Sequence, residues 1–349
     1  MNFTRIIAIL KARNYEFFRD KGSLGWNLLF PFLIVVGFGL IFGGGSRPDY
    51  KVGIFPHAAE TVVRAELNVP EDFINETSIE FIAFPSIEIG LEKLNHHKID
   101  MLVNLESKEF KYWVSSSSPK GYIVEKLYNS SLIPENMKQL GKKQVIQGKE
   151  IRYIDFLFPG ILAMNMMFSA LFGVGYVIVR YRKNGVLKRL KATPLTALEY
   201  LTAQTISRLI ILTFMVVVIW IGCDLIFSFN VEGSFFDLII VFFIGSFSLI
   251  SLGVIVASRG TNEELTSGIL NFLTWPMMFL SEVWFSIEGA PHWLKMFANV
   301  FPLTHLLRAA RKIMNDGQGL VDVVPEISIL LIMTAVFLTI GASLFSWRR

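Results

Sequence analysis

Residues 156–179 read FLFPGILAMNMMFSALFGVGYVIV and contain no charged residue. A helix needs about 20 consecutive apolar residues to cross the hydrocarbon core of a bilayer, so this run predicts a transmembrane helix. Three further runs without charge have similar length, at residues 22–46, 238–258 and 327–347. The chain is therefore expected to be a polytopic α-helical membrane protein.

Two weaker apolar runs bring the predicted number of spans to six. One covers residues 209–223 and extends back past Arg208 toward Tyr200, and the other covers residues 265–281 and stops at Glu282. Arg208 then lies two to three turns inside its span. Its long stem is expected to let the guanidinium reach the interface, with a gating role as the alternative.

The distribution of Lys and Arg predicts the orientation of these spans. The N-terminal segment and the loop after the second span are rich in basic residues, whereas the loop at residues 224–237 has none. Both termini and the loop at residues 181–199 are therefore predicted to be cytoplasmic, and residues 47–153 extracytoplasmic. Residues 1–21 suit a helix lying in the cytoplasmic interface, with Gly22 and Gly25 allowing the turn into the first span.

The composition excludes several classes of protein. With 52% hydrophobic and 18% charged residues, the chain is too apolar for a soluble enzyme. A net charge of +4 without a basic, aromatic-interleaved stretch argues against nucleic acid and leaves membrane lipids as neighbours. Cys223 is the single cysteine, and no third ligand accompanies His96 and His97, so no metal site is expected. No phosphate-binding loop or catalytic motif is present, so we expect no bound cofactor and no enzyme activity in this chain itself.

Residues 47–153 break the membrane pattern with mixed charge. Short β-type runs at 50–55, 79–84, 101–105 and 111–115 alternate with helical patterns at 58–68, 87–97 and 121–139. This alternation predicts a small α/β domain between the first and second spans. The glycines at 43–45 predict a hinge into it.

The segment at residues 181–200, YRKNGVLKRLKATPLTALEY, is a short basic helix closed by Thr193 and Pro194 and followed at once by a new helix. It resembles the loop between the second and third spans of ABC-2 type transporter permeases, where a Gly-x-Leu-(Lys/Arg)-Arg-Leu-(Arg/Lys)-x-(Thr/Ser)-Pro-Leu run occurs. A second resemblance covers residues 275–294, WPMMFLSEVWFSIEGAPHWL, and 301–311, FPLTHLLRAAR. These stretches resemble the family's fifth span and its outer re-entrant helices. The resemblance implies an outer re-entrant region at residues 282–322, which would explain why Arg308, Arg311 and Lys312 fall on the outer side.

This sequence departs from the family pattern at two places. Acidic residues often precede the loop glycine, where this chain has Arg182, Lys183 and Asn184, so the ATPase contact is expected to use different charge pairs. Glu282 stands where a small residue is usual. It either lines the substrate path or pairs with a cation, or else it is hydrated at headgroup level.

The resemblance implies a permease subunit of an ABC exporter in a bacterial inner membrane. It would work with separate ABC ATPase subunits that bind ATP and Mg, and with a second copy or a sister permease. The residues implied in contact with the ATPase are Lys183, Asn184, Gly185, Leu187, Lys188, Arg189, Leu190, Lys191, Thr193 and Pro194. Spans two and five would face the partner permease, and the transport-path candidates are Asn165, Ser169, Asn271, Thr274 and Glu282.

Polar residues also hold helices together in lipid, so each of these candidates has packing as its alternative role. The cargo is expected to be a lipid, a drug or another amphipathic molecule that moves outward. Two other classes stay open: a membrane sensor whose outer domain binds a ligand, and a secondary transporter without an ATPase. The second would need charged residues deep in several spans, and these are almost absent.

Overall fold

The computed structural model describes residues 2–42, 50–56, 69–96, 98–105, 111–115, 118–133, 152–229 and 231–347. The chain divides into two compact units, one made of residues 1–43 and 150–349 and the other of residues 44–149. The strands are β1 Tyr50–Phe55, β2 Ile79–Ala83, β3 Met101–Asn104 and β4 Tyr112–Val114. The helices in chain order are α1 Phe3–Arg19, α2 Lys21–Phe42, α3 Glu71–Ile74, α4 Ile87–Asn95, α5 Pro119–Ser131, α6 Tyr153–Ala170, α7 Val177–Lys183, α8 Val186–Lys191, α9 Ala197–Phe227, α10 Phe235–Ala257, α11 Glu263–Leu280, α12 His292–Ala298, α13 Pro302–Met314 and α14 Val324–Leu344.

Within the described ranges, five helices are long and apolar enough to cross a membrane. They are Lys21–Ile41, Tyr153–Lys183, Ala197–Phe227, Phe235–Ala257 and Val324–Leu344. The weak third span is confirmed as a helix and is longer than expected, since it begins at Ala197. The helix expected at 265–281 forms as α11 but is not among the five. Its first-turn Glu263 and Glu264 and its Asn271 lower its hydropathy.

The helical unit is built around α6, whose side chains are almost all buried by other helices of the same chain. A π-helical segment, Leu171–Tyr176, joins α6 to α7 in one continuous helix. Gly175 in this segment lets α10 pass close by, because a Cβ there would lie 3.3 Å from the Gly253 carbonyl oxygen. Small residues allow such close helix crossings in membranes.

The turn between α1 and α2 differs from the prediction. Gly22 and Gly25 lie inside α2, and the break falls at Asp20 instead. Its carboxylate accepts hydrogen bonds from the Ser23 amide at 3.0 Å and the Ser23 hydroxyl at 2.6 Å. These bonds, that of the hydroxyl first, lower the pKa of Asp20. An N-terminal cap by a side-chain carboxylate therefore performs the turn that glycine flexibility was expected to provide.

Residues 44–149 form an α/β unit, with strands at the predicted places. The sheet order is β2-β1-β3-β4, with β1 parallel to both neighbours and β4 antiparallel to β3. Val52, Ile54 and Met101 pack with α3 and α5 on one face, while Phe55 and Leu102 pack with α4 on the other. The helix predicted at 58–68, the end of that at 121–139, the glycines at 43–45 and His97 lie outside the described residues.

Candidate functional site

Residues 183–194, here called the basic loop, are shaped by one glycine. Gly185 separates α7 from α8 with φ of 70°, a left-handed conformation that costs a residue with a Cβ about 1–2 kcal/mol. The Arg189 amide then bonds the Gly185 carbonyl oxygen at 3.1 Å, which starts α8. At the far end, the Thr193 hydroxyl donates to the Leu190 carbonyl at 2.6 Å and closes the helix. The loop is thus a short, defined helix between two turns.

The two faces of α8 have different surroundings. Leu187 is fully buried against the helical unit, and Leu190 packs on the same core. The side chains of Lys188, Arg189 and Lys191 are exposed, and so are Thr193 and Pro194. One face of α8 therefore packs on the spans, while the other face carries exposed cationic hydrogen-bond donors.

Arg182 does not project toward a partner. It is buried, and its guanidinium donates to the carbonyls of Ala257 at 2.9 Å, Ser258 at 3.1 Å and Ser346 at 3.2 Å, and also to that of Gly260. It therefore caps the last carbonyls of α10, where a cation is favoured by the helix dipole. The guanidinium of Arg182 is therefore used within the chain.

Lys183 is also engaged within the chain. Its ammonium lies 3.3 Å from a carboxylate oxygen of Glu263, whose other oxygen accepts the Tyr176 hydroxyl at 2.7 Å. The start of α11 is thereby tied to the π-helical segment and to the first residue of the basic loop. Asn184 next to it is exposed.

Helix α1 is tied to the end of the basic loop. The Asn2 amide donates to Glu199 at 2.6 Å, and Arg5 donates to the Pro194 carbonyl while lying 3.8 Å from the same Glu199. Glu199 also forms a capping box with Thr196 at the start of α9. The order of Thr196 and Glu199 in the sequence is the usual sign of such a box. Glu199 thus joins three elements at one point.

A second polar cluster holds α1 along α9. Arg13 donates to the Gln204 side-chain oxygen at 2.9 Å, and Gln204 donates to the Tyr200 hydroxyl at 2.9 Å. Arg13 and Glu16 also both bond the Tyr181 hydroxyl at the end of α7. The basic loop, α1 and α9 therefore form one hydrogen-bonded assembly.

Arg208 is buried within the helical unit, which contradicts the expected snorkelling. Its guanidinium donates to the Ser169 hydroxyl at 2.5 Å and to the Ser169 carbonyl, and it lies against Gly173 of the π-helical segment. The Phe17 ring of α1 covers it at 5.6 Å. The aliphatic stem of Arg208 does not extend to the interface, because Gly173 has no side chain and leaves room for the guanidinium inside the helical unit.

The first pair of transport-path candidates contacts α2. Asn165 donates to the Asn27 backbone oxygen at 3.3 Å, and the Ser169 hydroxyl donates to the Asn27 side-chain oxygen at 3.1 Å. Both are buried inside one chain. Phe168, Phe172 and Tyr176 are partly exposed and form a stripe along this helix. Asn27, which the sequence analysis did not single out, is the residue that connects the pair.

The second pair lies on α11. Thr274 is fully buried and donates to the Asn271 carbonyl at 3.2 Å, whereas Asn271 itself is exposed. Beyond the first turn with its exposed Glu264, the large exposed side chains of α11 are apolar: Leu265, Ile269, Phe272, Trp275 and Phe279. We call these five residues and Asn271 the α11 face.

Glu282 forms part of a turn that is held by Arg311. Its φ is 63°, its carboxylate accepts the Ile287 amide at 3.2 Å, and it lies 3.6 Å from the Arg311 guanidinium. Arg311 also donates to the Glu282 carbonyl at 2.5 Å and stacks on the Phe156 ring at 3.8 Å. Burial lowers the pKa of Arg311 to about 10, so it stays charged at neutral pH. The turn packs against Gly160, where a Cβ would lie 2.5 Å from the Val283 oxygen. The five path candidates are thus in different places, and their transport role stays a prediction.

The described side chains of the helical unit offer hydrogen-bond donors and apolar surface, which can bind a partner molecule. In the described part of the chain, no group of three or more His, Cys, Asp or Glu side chains is placed to hold a metal ion. The exposed cations of the basic loop suit an acidic protein surface.

Comparisons with known proteins agree with this architecture. A family model described as "ABC-2 family transporter protein" matches residues 21–343. The chain is 22% identical to the ABC transporter G family member 20 of Dictyostelium discoideum, over 90% of this chain and 46% of that protein. It is 22% identical to the probable multidrug ABC transporter permease YbhR of Escherichia coli, over 65% of this chain and 61% of that protein. It is also 20% identical to the daunorubicin resistance ABC transporter permease protein DrrB1 of Streptomyces coeruleorubidus, over 55% of this chain and 69% of that protein.

Several long apolar helices joined by short loops define a polytopic α-helical membrane protein. The chain belongs to the ABC-2 transporter family, whose permeases are the membrane subunits and work with ABC ATPase subunits. It spans about half of the length of the Dictyostelium relative and about three fifths of that of the Escherichia coli permease.

Proposed function

We propose that this chain is the transmembrane subunit of an ATP-driven exporter and that the basic loop is its contact with separate ATPase subunits. The observation that carries the proposal is the division of α8 into a face buried on the spans and an exposed cationic face. Movement of a subunit docked on the exposed face would pass through Leu187 into the helical unit. The ATPase subunits would bind ATP and Mg, and this chain would hold neither.

We propose six spans, with α11 as the fifth. At one end of the second span, Glu263, the first residue of α11, contacts Tyr176 and Lys183. At the other end, Glu282, which follows α11, pairs with Arg311. Arg311 in turn donates to the Phe156 carbonyl of the second span at 3.4 Å. Helix α11 therefore runs alongside the second span. The contacts of Arg5 with Pro194 and of Arg182 with Ser346 support placing both ends of the chain beside the basic loop. That side would be the cytoplasm of a bacterial inner membrane, with residues 47–153 outside.

The permease partner would lie against the α11 face and the aromatic stripe of Phe168, Phe172 and Tyr176. Apart from Asn271, the side chains of the α11 face are large and apolar, and Phe272 is 80% exposed. The partner is either a second copy of this chain or a sister permease. Asn271 would then face the path between the two subunits.

The cargo class is proposed from the relatives. One permease is named for multidrug transport and another for daunorubicin resistance. Drugs of this kind are amphipathic, so we propose outward movement of a lipid, a drug or another amphipathic molecule. A sensor or a secondary transporter would not need a cationic helix fixed in this way.

The test is co-purification of the tagged chain from its native membranes, followed by an ATPase assay. The variant Lys188→Glu with Arg189→Glu reverses two exposed charges and leaves Leu187 in place. We expect it to lose the ATP-hydrolysing subunit. The matched control, Lys98→Glu with Lys126→Glu, reverses two exposed charges in the α/β unit and should retain that subunit.

Either of two results would contradict the proposal. One is a natural chain that carries no ATPase under gentle detergents, and the other is a charge-reversed loop that retains the ATPase as well as the control does. A loss in both variants would point to general charge reversal rather than to the basic loop.

A further inference from the structure

Helix α13 carries three cations, of which one differs from the others. Arg311 pairs with Glu282, and Lys312 pairs with Glu326 at 2.7 Å. No carboxylate of the described residues lies within 4.0 Å of Arg308, whose guanidinium donates to the side-chain oxygen of Asn299 at 2.7 Å. Arg308 thus presents a charge without an anionic partner in a half-buried position.

Arg308 lines a cleft of about 310 Å³ between α13 and the start of α14. Its other walls are Asn299, His305, Pro325, Glu326 and Ile329. Glu326 is the one carboxylate among them, and Lys312 already neutralises it. The cleft therefore has a net positive charge that comes from Arg308.

A second cleft also includes Arg308. There the guanidinium lies near Glu282 and Glu288 as well as Lys295. Glu282 pairs there with Arg311, as Glu326 pairs with Lys312 beside α14, so the two clefts have a similar charge balance. The cleft beside α14 differs from the second cleft in including Ile329, from which exposed apolar side chains continue along that helix.

The position of Arg308 is fixed by its neighbours. His305 bonds the Asn299 carbonyl oxygen at 2.8 Å through Nε2, and Asn299 in turn holds Arg308. Burial lowers the pKa of His305, so the imidazole is neutral at pH 7 and donates from Nε2. A guanidinium held in this way keeps donors free for a second acceptor, and phosphate oxygens suit its planar fork.

An apolar stripe on α14 begins at the same cleft. Ile329, Ile332, Val336 and Ile340 are all exposed and follow one another at helical spacing. They extend from the polar cleft along a predicted membrane span. A charged cleft that opens onto an apolar stripe matches a molecule with an anionic head and a long chain.

We propose that the cleft between α13 and α14 binds the phosphate group of a membrane phospholipid through Arg308, with an acyl chain lying along the α14 stripe. Inorganic phosphate shares the head chemistry but lacks the chain, which allows the two to be distinguished. The bound lipid would join the short helices α12 and α13 to the last span. The proposal does not depend on the ATPase partner.

The experiment is native mass spectrometry of the full chain in a mild detergent with added phosphatidylglycerol. Diacylglycerol with the same chains and inorganic phosphate are added in parallel. We expect Arg308→Gln to weaken phosphatidylglycerol binding by roughly tenfold or more, as for the loss of one charge-assisted hydrogen bond. Lys295→Gln, which removes a cation from the second cleft only, should leave binding unchanged. Glu326→Gln should strengthen it, because Lys312 then adds to the positive charge.

Ile332→Ser tests the chain portion of the site without touching Arg308. It should weaken binding of phosphatidylglycerol and leave binding of inorganic phosphate as it was. Equal binding of diacylglycerol and phosphatidylglycerol would overturn the proposal. So would phosphatidylglycerol binding that survives Arg308→Gln, and so would inorganic phosphate that binds as tightly as the lipid. Arg308→Lys, which retains the charge, should keep part of the affinity and guards against a folding defect.

Discussion

At the scale of single residues, Arg182 fixes where the basic loop leaves the helical unit. Its guanidinium bonds carbonyls at the end of α10 and in the segment after α14. In Arg182→Ala these carbonyls lose a charged donor, which costs about 1.5–3 kcal/mol. We expect a lower melting temperature for the detergent-solubilised chain, measured by intrinsic fluorescence.

Arg182→Lys should recover only part of that loss, because an ammonium cannot reproduce the guanidinium fork. The matched control is Arg180→Ala, which removes an exposed cation from the same helix. Equal melting temperatures for Arg182→Ala and Arg180→Ala would show that the inward contacts contribute nothing.

Gly185 allows a second prediction. Its positive φ penalises a Cβ by about 1–2 kcal/mol, and Asn tolerates this conformation better than Ala does. Stability should therefore fall in the order Gly, Asn, Ala at position 185, as followed by thermal unfolding. Gly25→Ala in helix α2, where a Cβ would meet no atom within 4 Å, should be neutral or slightly stabilising. The idea fails if Ala at position 185 is as stable as Gly.

At the scale of elements, helix α11 has one buried side and the exposed α11 face. If a second copy of this chain covers that face, Phe272→Cys in a chain without Cys223 should form a disulfide-linked dimer in membranes. Ile332→Cys on α14 is the control, since Ile332 is 63% exposed but lies on another helix. Dimers from both positions alike would indicate random collision, and a dimer from Ile332→Cys alone would refute the proposed face.

The elements themselves were largely predictable from the sequence. Uncharged runs indicate spans because charge is costly in lipid, and the four predicted strands follow residue preferences and turns. The side-chain partners were less predictable. Arg182 and Arg208 are ordinary cations in the sequence, and only the folded helices supply the carbonyls and the Gly173 gap that hold them inside. Asn27 could not be singled out, because one Asn in an apolar run carries no signal of its partner.

At the scale of the whole molecule, the proposed topology can be tested by labelling. Cys223 is the single cysteine and is fully buried, so replacing it by Ser gives a background for new thiols. Lys126→Cys should react with a membrane-impermeant maleimide in intact cells. Lys188→Cys should react only after the membrane is opened. The reverse pattern would invert the orientation, and labelling of both in intact cells would contradict an odd number of crossings between them.

The π-helical segment Leu171–Tyr176 determines how far α7 is rotated about its helix axis relative to α6. A π turn holds about one residue more than an α turn, so α7 is rotated by roughly 100° about the helix axis from where an unbroken α-helix would place it. That single extra residue therefore determines the direction in which two side chains of α7 point. Arg182 points toward Ser346, and Lys183 points toward Glu263. Deleting one residue here would change no charge and would leave Arg182 and Lys183 in the sequence. It would nevertheless turn the basic loop away from both of its anchors.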